Sequence, residues 1–241
     1  MSDTKVALVT GGSSGLGREL VAALAGEGWL VITDGRRQTE LTEATKDFAG
    51  VTAIPGDVTD FAHRDALVAA VRAAGRLDLL ANNASTLGPT PLLPLAQRTV
   101  EDLPEVWRTN VGAPFALAVE LLPELLADDG VLLSVSSDAA VEHYEGWGLY
   151  GAAKAALDHL TLTLAAENPA LHAYAVDPGD MRTPMHRAAF PGEDISDRPE
   201  PATVIPRLRH VWTRRPPSGR YRAADLPAVE TTVDNTTGAH A

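Results

Sequence analysis

Val6-Ala7-Leu8-Val9-Thr10-Gly11-Gly12-Ser13-Ser14-Gly15-Leu16-Gly17-Arg18 is the stretch that decides the fold. Its apolar start reads as a buried strand, and the helix-favouring run 18–25 follows the glycine-rich loop. Gly11 permits the tight strand-to-helix turn, Gly15 lets the backbone approach a pyrophosphate, and Gly17 lets helix and strand pack closely. The amides of this loop, through Ser13, Ser14 and Leu16 to the helix start, would hold the anion. A glycine-rich loop alone is equally a flexible turn. Its position between a first strand and a first helix is what points to a dinucleotide.

Outward from this unit, apolar β-rich runs alternate with longer amphipathic ones. Strands are expected over 6–9, 30–33, 51–54, 77–81, 131–135 and 171–176, and helices from near Gly15, Thr39, Phe61, Glu105 and Leu149. The last two are long, 105–126 and 149–167, although Pro114 and Pro123 threaten the first, since each removes an amide donor and crowds the preceding turn. After Pro178 the alternation stops, and 182–201 reads as an irregular lobe over a site. A helix over 202–213 and a short strand near Tyr221 follow. The pattern is α/β: a doubly wound parallel sheet of about seven strands with helices on both faces. One domain over 1–226 is expected, with a substrate-binding lobe at about 181–213 and a polar, Thr-rich, disordered tail over 227–241.

Composition narrows the function. The chain has no cysteine, which excludes disulfides, thiol nucleophiles and Cys-ligated zinc, so redox work would fall to a cofactor. Thirty-two acidic against twenty basic residues give a net charge of −12, which opposes binding to nucleic acid. The seven histidines form no HExxH or similar pairing, so no metal site is expected. No secretory h-region and no apolar run of the roughly 18 residues needed for a membrane span is evident, and a cytoplasmic protein is expected.

The second strand ends Thr33-Asp34-Gly35-Arg36-Arg37, where such sheets read the adenosine ribose. An acid, here Asp34, would accept from the 2′-OH of NAD, and an arginine, here Arg36, would pair with the 2′-phosphate of NADP. Gly35 falls where the NAD-selecting acid usually stands, so NADP(H) is favoured, with NAD(H) the alternative. Asp57 and Val58, closing the third strand, would meet the adenine. Without wider context Asp57 is as well read as a turn residue or N-cap.

Tyr150 and Lys154 lie four residues apart on the last long helix, on one face about a turn apart. Lowering a phenol pKa from about 10 by two or three units requires roughly 3 to 4 kcal/mol. One positive charge at ~4 Å, at an effective dielectric near 20, supplies ~4 kcal/mol. The pair is therefore expected to form a proton-transfer device, although the same spacing is common in plain surface pairs.

Together these features make the chain resemble the short-chain dehydrogenase/reductase family in its compact form, over about 6–183. The resemblance rests on TGxxxGxG at Thr10 to Gly17, Asp57, Asn82-Asn83-Ala84, Asn110, Ser137, Tyr150-x-x-x-Lys154 and Pro178-Gly179. It implies a Rossmann fold and hydride exchange between a nicotinamide and a carbonyl or alcohol. Tyr150 would be the acid/base, Lys154 would hold the nicotinamide ribose and lower the phenol pKa, and Ser137 would orient the substrate oxygen. Asn110 would bend a helix and anchor a relay water. It also implies that Asn83, Ala84, Pro178, Gly179 and Thr183 surround the nicotinamide. Ser85 departs from the pattern, standing where the family usually has glycine. Substrate contacts are expected from His143, Tyr144, Trp147 and Met185 in a partly apolar pocket. The two long helices would pair copies into a homodimer or homotetramer, and Ala152, Ala153, Ala156, Leu157 and Leu160 suit that. The rival reading is a catalytically silent dinucleotide-binding regulatory or scaffold protein of the same fold.

Overall fold

The computed structural model describes residues 4–230. Among them the strands β1 (Val6–Val9), β2 (Leu30–Gly35), β3 (Val51–Pro55), β4 (Leu79–Asn82), β5 (Val131–Val135), β6 (His172–Asp177) and β7 (Gly219–Arg222) form one sheet. The order is β3-β2-β1-β4-β5-β6-β7, and every pairing is parallel. The order of strand addition reverses between β1 and β4, which opens a crevice beyond the strands' C-terminal ends.

Side chains alternate across the strands, so each face carries its own core. Ala7, Val9, Leu133 and Val176 pack under α1 (Gly15–Gly26) with Leu208 and Trp212 from a helix near the C-terminus. Val6, Leu8, Leu80 and Leu132 pack on the other face against Leu67 and Val68 of α3 (Phe61–Ala74). Helix α2 (Gln38–Thr45) lies between β2 and β3 in sequence. Each leucine fully buried in these layers is worth roughly 1.5–3 kcal/mol.

The expected helix over 105–126 is not continuous. It consists of α4 (Leu103–Trp107), a π-helical turn at Arg108–Gly112, α5 (Ala113–Glu120) and, after a break at Leu121, α6 (Leu122–Ala127). Pro114 would press its ring on the carbonyl of Asn110 in a regular helix, and the wider π turn removes that clash. Pro123 has no amide to continue the ladder, so α6 starts afresh beside it. The second long helix, α7 (Gly148–Glu167), runs unbroken. The irregular lobe contains a short helix, α8 (Pro184–Ala189), and α9 (Ile205–Arg214) follows it. The start of the expected disordered tail is anchored: Val229 donates to the Pro206 carbonyl at 2.8 Å and accepts from Arg209 Nη1 at 2.7 Å. The rest of that expectation, 231–241, lies outside the described residues.

Candidate active site

The crevice holds a cleft of ≈ 620 Å³ that runs from the glycine loop past β5 to the lobe. At one end Gly11 and Gly15 take φ of +74° and +54°, the left-handed region in which the loop turns into α1. A Cβ at Gly17 would stand 2.2 Å from the Gly11 carbonyl oxygen, so only glycine allows this closeness. Ser14 caps α1 without a side-chain hydrogen bond, leaving first-turn amides to face the cleft. Asn83 braces the loop from below, its Nδ2 donating to the Thr10 carbonyl at 2.8 Å, while Thr10 Oγ1 accepts from the Asn83 and Ala84 amides at 3.0 Å.

Asp34 behaves differently from the sequence expectation. Its Oδ1 accepts from the Gly11 amide at 2.6 Å and its Oδ2 meets His63 Nε2 at 3.1 Å, and the residue is 2% exposed. One oxygen thus holds the loop and the other a histidine of α3, while the residue keeps a place on the cleft lining. His63 gives no sign in the sequence, because its partner lies 29 residues away. Arg36 and Arg37 both line the cleft rim, Arg37 in an exposed ion pair with Glu40 and Arg36 near Asp57. Burial pushes the Asp57 carboxyl up, but hydrogen bonds from Thr59 and the charges of Arg36 and His63 outweigh it and hold the pKa below the usual value. Arginine and carboxylate thus stand where an adenosine end would lie, with Val58 beside them.

At the other end β5 delivers two serines in opposite directions. Ser136 is buried and donates to Asp158 Oδ2 at 2.7 Å, while Ser137 faces the cleft. Ser137 Oγ donates to Asp138 Oδ1 at 3.0 Å and accepts from the Ala139 amide at 3.2 Å. A Cβ at Gly151 would lie 2.5 Å from the Ala139 carbonyl, so this glycine lets α7 bring Tyr150 against the serine turn. Ser137 and Ser85 line the same cleft as the Tyr150 phenol, and both oppose the rise of its pKa. Arg220 of β7 ties the arrangement together, donating to the Ser137 carbonyl at 2.8 Å and to Asp158 Oδ2 at 2.9 Å.

Lys154 is 2% exposed and donates to the Val135 carbonyl at 2.7 Å, with Nζ 5.6 Å from the Tyr150 ring centroid. Burial pushes Tyr150 up to about 12, against hydrogen bonds from Ser137 and Ser85, and lowers Lys154 to about 8, with Asp158 opposing. The sequence-level estimate placed the ammonium ~4 Å from the phenolic oxygen in a medium of effective dielectric near 20. Instead the ammonium sits over the ring and is turned to a backbone carbonyl, and desolvation prevails. Lysine alone does not lower this phenol.

Asn110 lies in the π turn and clamps the neighbouring loop: Oδ1 accepts from the Thr86 amide at 2.8 Å, and Nδ2 donates to the Thr86 carbonyl at 2.8 Å. Pro178 and Gly179 line the cleft, Gly179 donating to Asp177 Oδ1 at 2.9 Å. Thr183 caps α8, its hydroxyl accepting from the His186 amide at 3.1 Å, and its methyl stands beside Gly15. Tyr144, Trp147 and Met185 line the outer chamber with Leu87, His186 and Phe190. Trp147 meets Tyr150 edge-on at 5.6 Å, and His186 lies against Phe190 at 4.8 Å with the rings tilted by 40°. His143 is exposed and outside the lining, since the turn after Ser137 directs Tyr144 inward, onto Asp138 Oδ2 at 2.9 Å. Asp138, Leu87 and Ser85 were missed as site residues because loops, not periodicity, bring them there.

A pyridine dinucleotide fits these residues: an uncapped helix start for the pyrophosphate, an arginine for the adenosine end, and a lysine–tyrosine pair for the nicotinamide end. The sequence profile of the short chain dehydrogenases matches residues 5–194. An oxidoreductase of Escherichia coli, YciK, is 32% identical over 218 residues, 86% of this chain and 85% of that one. A benzil reductase ((S)-benzoin forming) of Saccharomyces cerevisiae is 29% identical over 221 residues, 87% of this chain and 82% of that one. A Shigella flexneri structure solved with NADP superimposes with a TM-score of 0.82 at 29% identity, covering 93% of this chain and 98% of that one.

Proposed function

The chain belongs to the short-chain dehydrogenase/reductase family, and on that premise we propose that it is a cytoplasmic, NADP-preferring enzyme interconverting a ketone or aldehyde and an alcohol, with Tyr150 as acid/base. Bound, the reduced nicotinamide supplies the hydride. Tyr150 gives its proton to the carbonyl oxygen as that oxygen gains charge, and the raised phenol pKa keeps the proton in place at neutral pH. Ser137 turns its hydroxyl from Asp138 to the substrate oxygen and aligns it. Lys154 would hold the ribose hydroxyls with the proton that Asp158 helps it keep. Arg36 pairs with the 2′-phosphate. The observation that supports this reading is a buried phenol with a lysine over its ring and Ser137 on the same cleft wall, next to an uncapped glycine cradle.

The walls of the outer chamber, Trp147, Phe190, His186, Met185 and Leu87, favour an apolar, aryl-bearing carbonyl compound, and the benzil reductase relative agrees. Asp138 and Asp180 on the lining disfavour anionic substrates. The test is to follow the absorbance of NADPH or NADH with benzil, further aromatic ketones and aldehydes, and a 2-oxo acid. NADPH oxidation with the neutral aromatic compounds is expected. No oxidation across the panel, or a preference for the 2-oxo acid, would overturn the proposal.

A further inference from the structure

Arg220 lies on β7, beyond residue 194 where the match to the family profile stops, and the proposed reaction leaves it without a part. β7 is the edge strand, separated from β5 by β6. Arg220 pairs with Ala175 of β6, which pairs with Ser134 of β5, and residues paired in this way put their side chains on one face of the sheet. The arginine therefore crosses β6 on the face where that strand carries only a methyl group. Beyond it the planar guanidinium serves two acceptors: Nε donates to Asp158 Oδ2 at 2.9 Å, and Nη2 donates to the Ser137 carbonyl at 2.8 Å.

Both acceptors belong to the site. Asp158, one turn along α7 from Lys154, is 6% exposed, and its Oδ2 accepts from Ser136 Oγ at 2.7 Å as well. The Ser137 carbonyl also accepts from the Ala140 amide at 3.1 Å, the bond that opens the turn after β5. Three consecutive residues at the end of β5 are thus held from outside the strand: the Val135 carbonyl by Lys154, the Ser136 hydroxyl by Asp158 and the Ser137 carbonyl by Arg220.

We propose that Arg220 is a positioning residue for carbonyl reduction, fixed by Asp158 and holding the Ser137 backbone so that the Ser137 hydroxyl meets the substrate oxygen. The inference rests on the reading of Ser137 as the residue that orients that oxygen. Arg220 is not on the cleft lining, so it acts through Ser137 and not on the substrate. Ser137 is extended, at φ −158° and ψ 157°, and a shift of its carbonyl swings the following peptide and carries the hydroxyl with it. A misplacement of about 1 Å costs on the order of a hundredfold in rate. Lysine is a poor substitute, because an ammonium is a point charge whereas the guanidinium fork meets two acceptors in a fixed geometry.

The test is a double-mutant cycle, read by NADPH oxidation in single turnovers with enzyme in excess, so that slow variants register. The substrate is the aromatic carbonyl compound that the wild type reduces fastest. In the wild-type chain Arg220→Gln and Arg220→Lys should each slow reduction roughly ten- to hundredfold, with NADPH binding, followed by fluorescence, unchanged. In the Ser137→Ala background, where no hydroxyl is left to position, the same substitutions should cost less than about threefold. Arg220→Lys keeps the charge beside Asp158 and carries the comparison where Arg220→Gln fails to fold. Equal cost in both backgrounds, as a merely structural role would give, or no cost in the wild-type chain, would overturn the proposal. Undiminished turnover by Ser137→Ala would instead overturn the reading of Ser137, whatever the arginine variants show.

Discussion

Lys154 carries an ammonium in a place that resists charge, and this sets a pH limit. Burial lowers its pKa from 10.5 to about 8, with Asp158 opposing. Carbonyl reduction that needs the ammonium should fall as pH rises through about 8, and Asp158→Asn should move that fall to lower pH. Stability runs the other way. Between about 8 and 10.5 the unfolded chain keeps a proton that the folded chain has lost, so this group's contribution to stability grows with pH. Rate profiles and thermal melts measured together separate the two, and an activity loss that tracks melting would contradict the assignment. The pairing of Tyr150 with Lys154 was legible in the sequence from helical spacing. The direction of the phenol shift was not, because it depends on Lys154 pointing to Val135 and on burial, which the spacing does not report.

Cofactor choice is decided where β2 ends. Asp34 is bonded to the Gly11 amide and His63, Arg37 is paired with Glu40 at the exposed rim, and Arg36 stands beside Asp57 on the same lining. Arg36→Ala should raise KM for NADPH roughly tenfold or more, the worth of a charge-assisted hydrogen bond, with little effect on KM for NADH. Equal effects on both would discard the assignment. The strands were legible because buried parallel strands are short apolar runs bounded by turns. Two breaks within residues 103–127 were harder to read. Pro114 and Pro123 announced an interruption, but the widened turn around Asn110 depends on that side chain clamping the loop at Thr86, a contact across 24 residues.

At the scale of the molecule, Trp107, Phe115 and Val119 are 43–45% exposed on α4 and α5, beside α7. Ala153 and Leu157, expected to meet a partner, are instead buried within the chain. A homodimer or homotetramer formed through α4, α5 and α7 would cover the aromatic residues. Phe115→Glu should then yield a monomer by light scattering, and an unchanged mass would exclude this face. The central claim is that one phenol moves the proton. Its most direct measurement is NADPH oxidation by benzil with wild type and Tyr150→Phe, alongside NADPH binding followed by fluorescence. Removing a positioned acid costs on the order of 10²–10⁴ in rate. The expected result is a loss of that size with nucleotide binding unchanged, and a Phe variant that turns over like wild type would contradict the account.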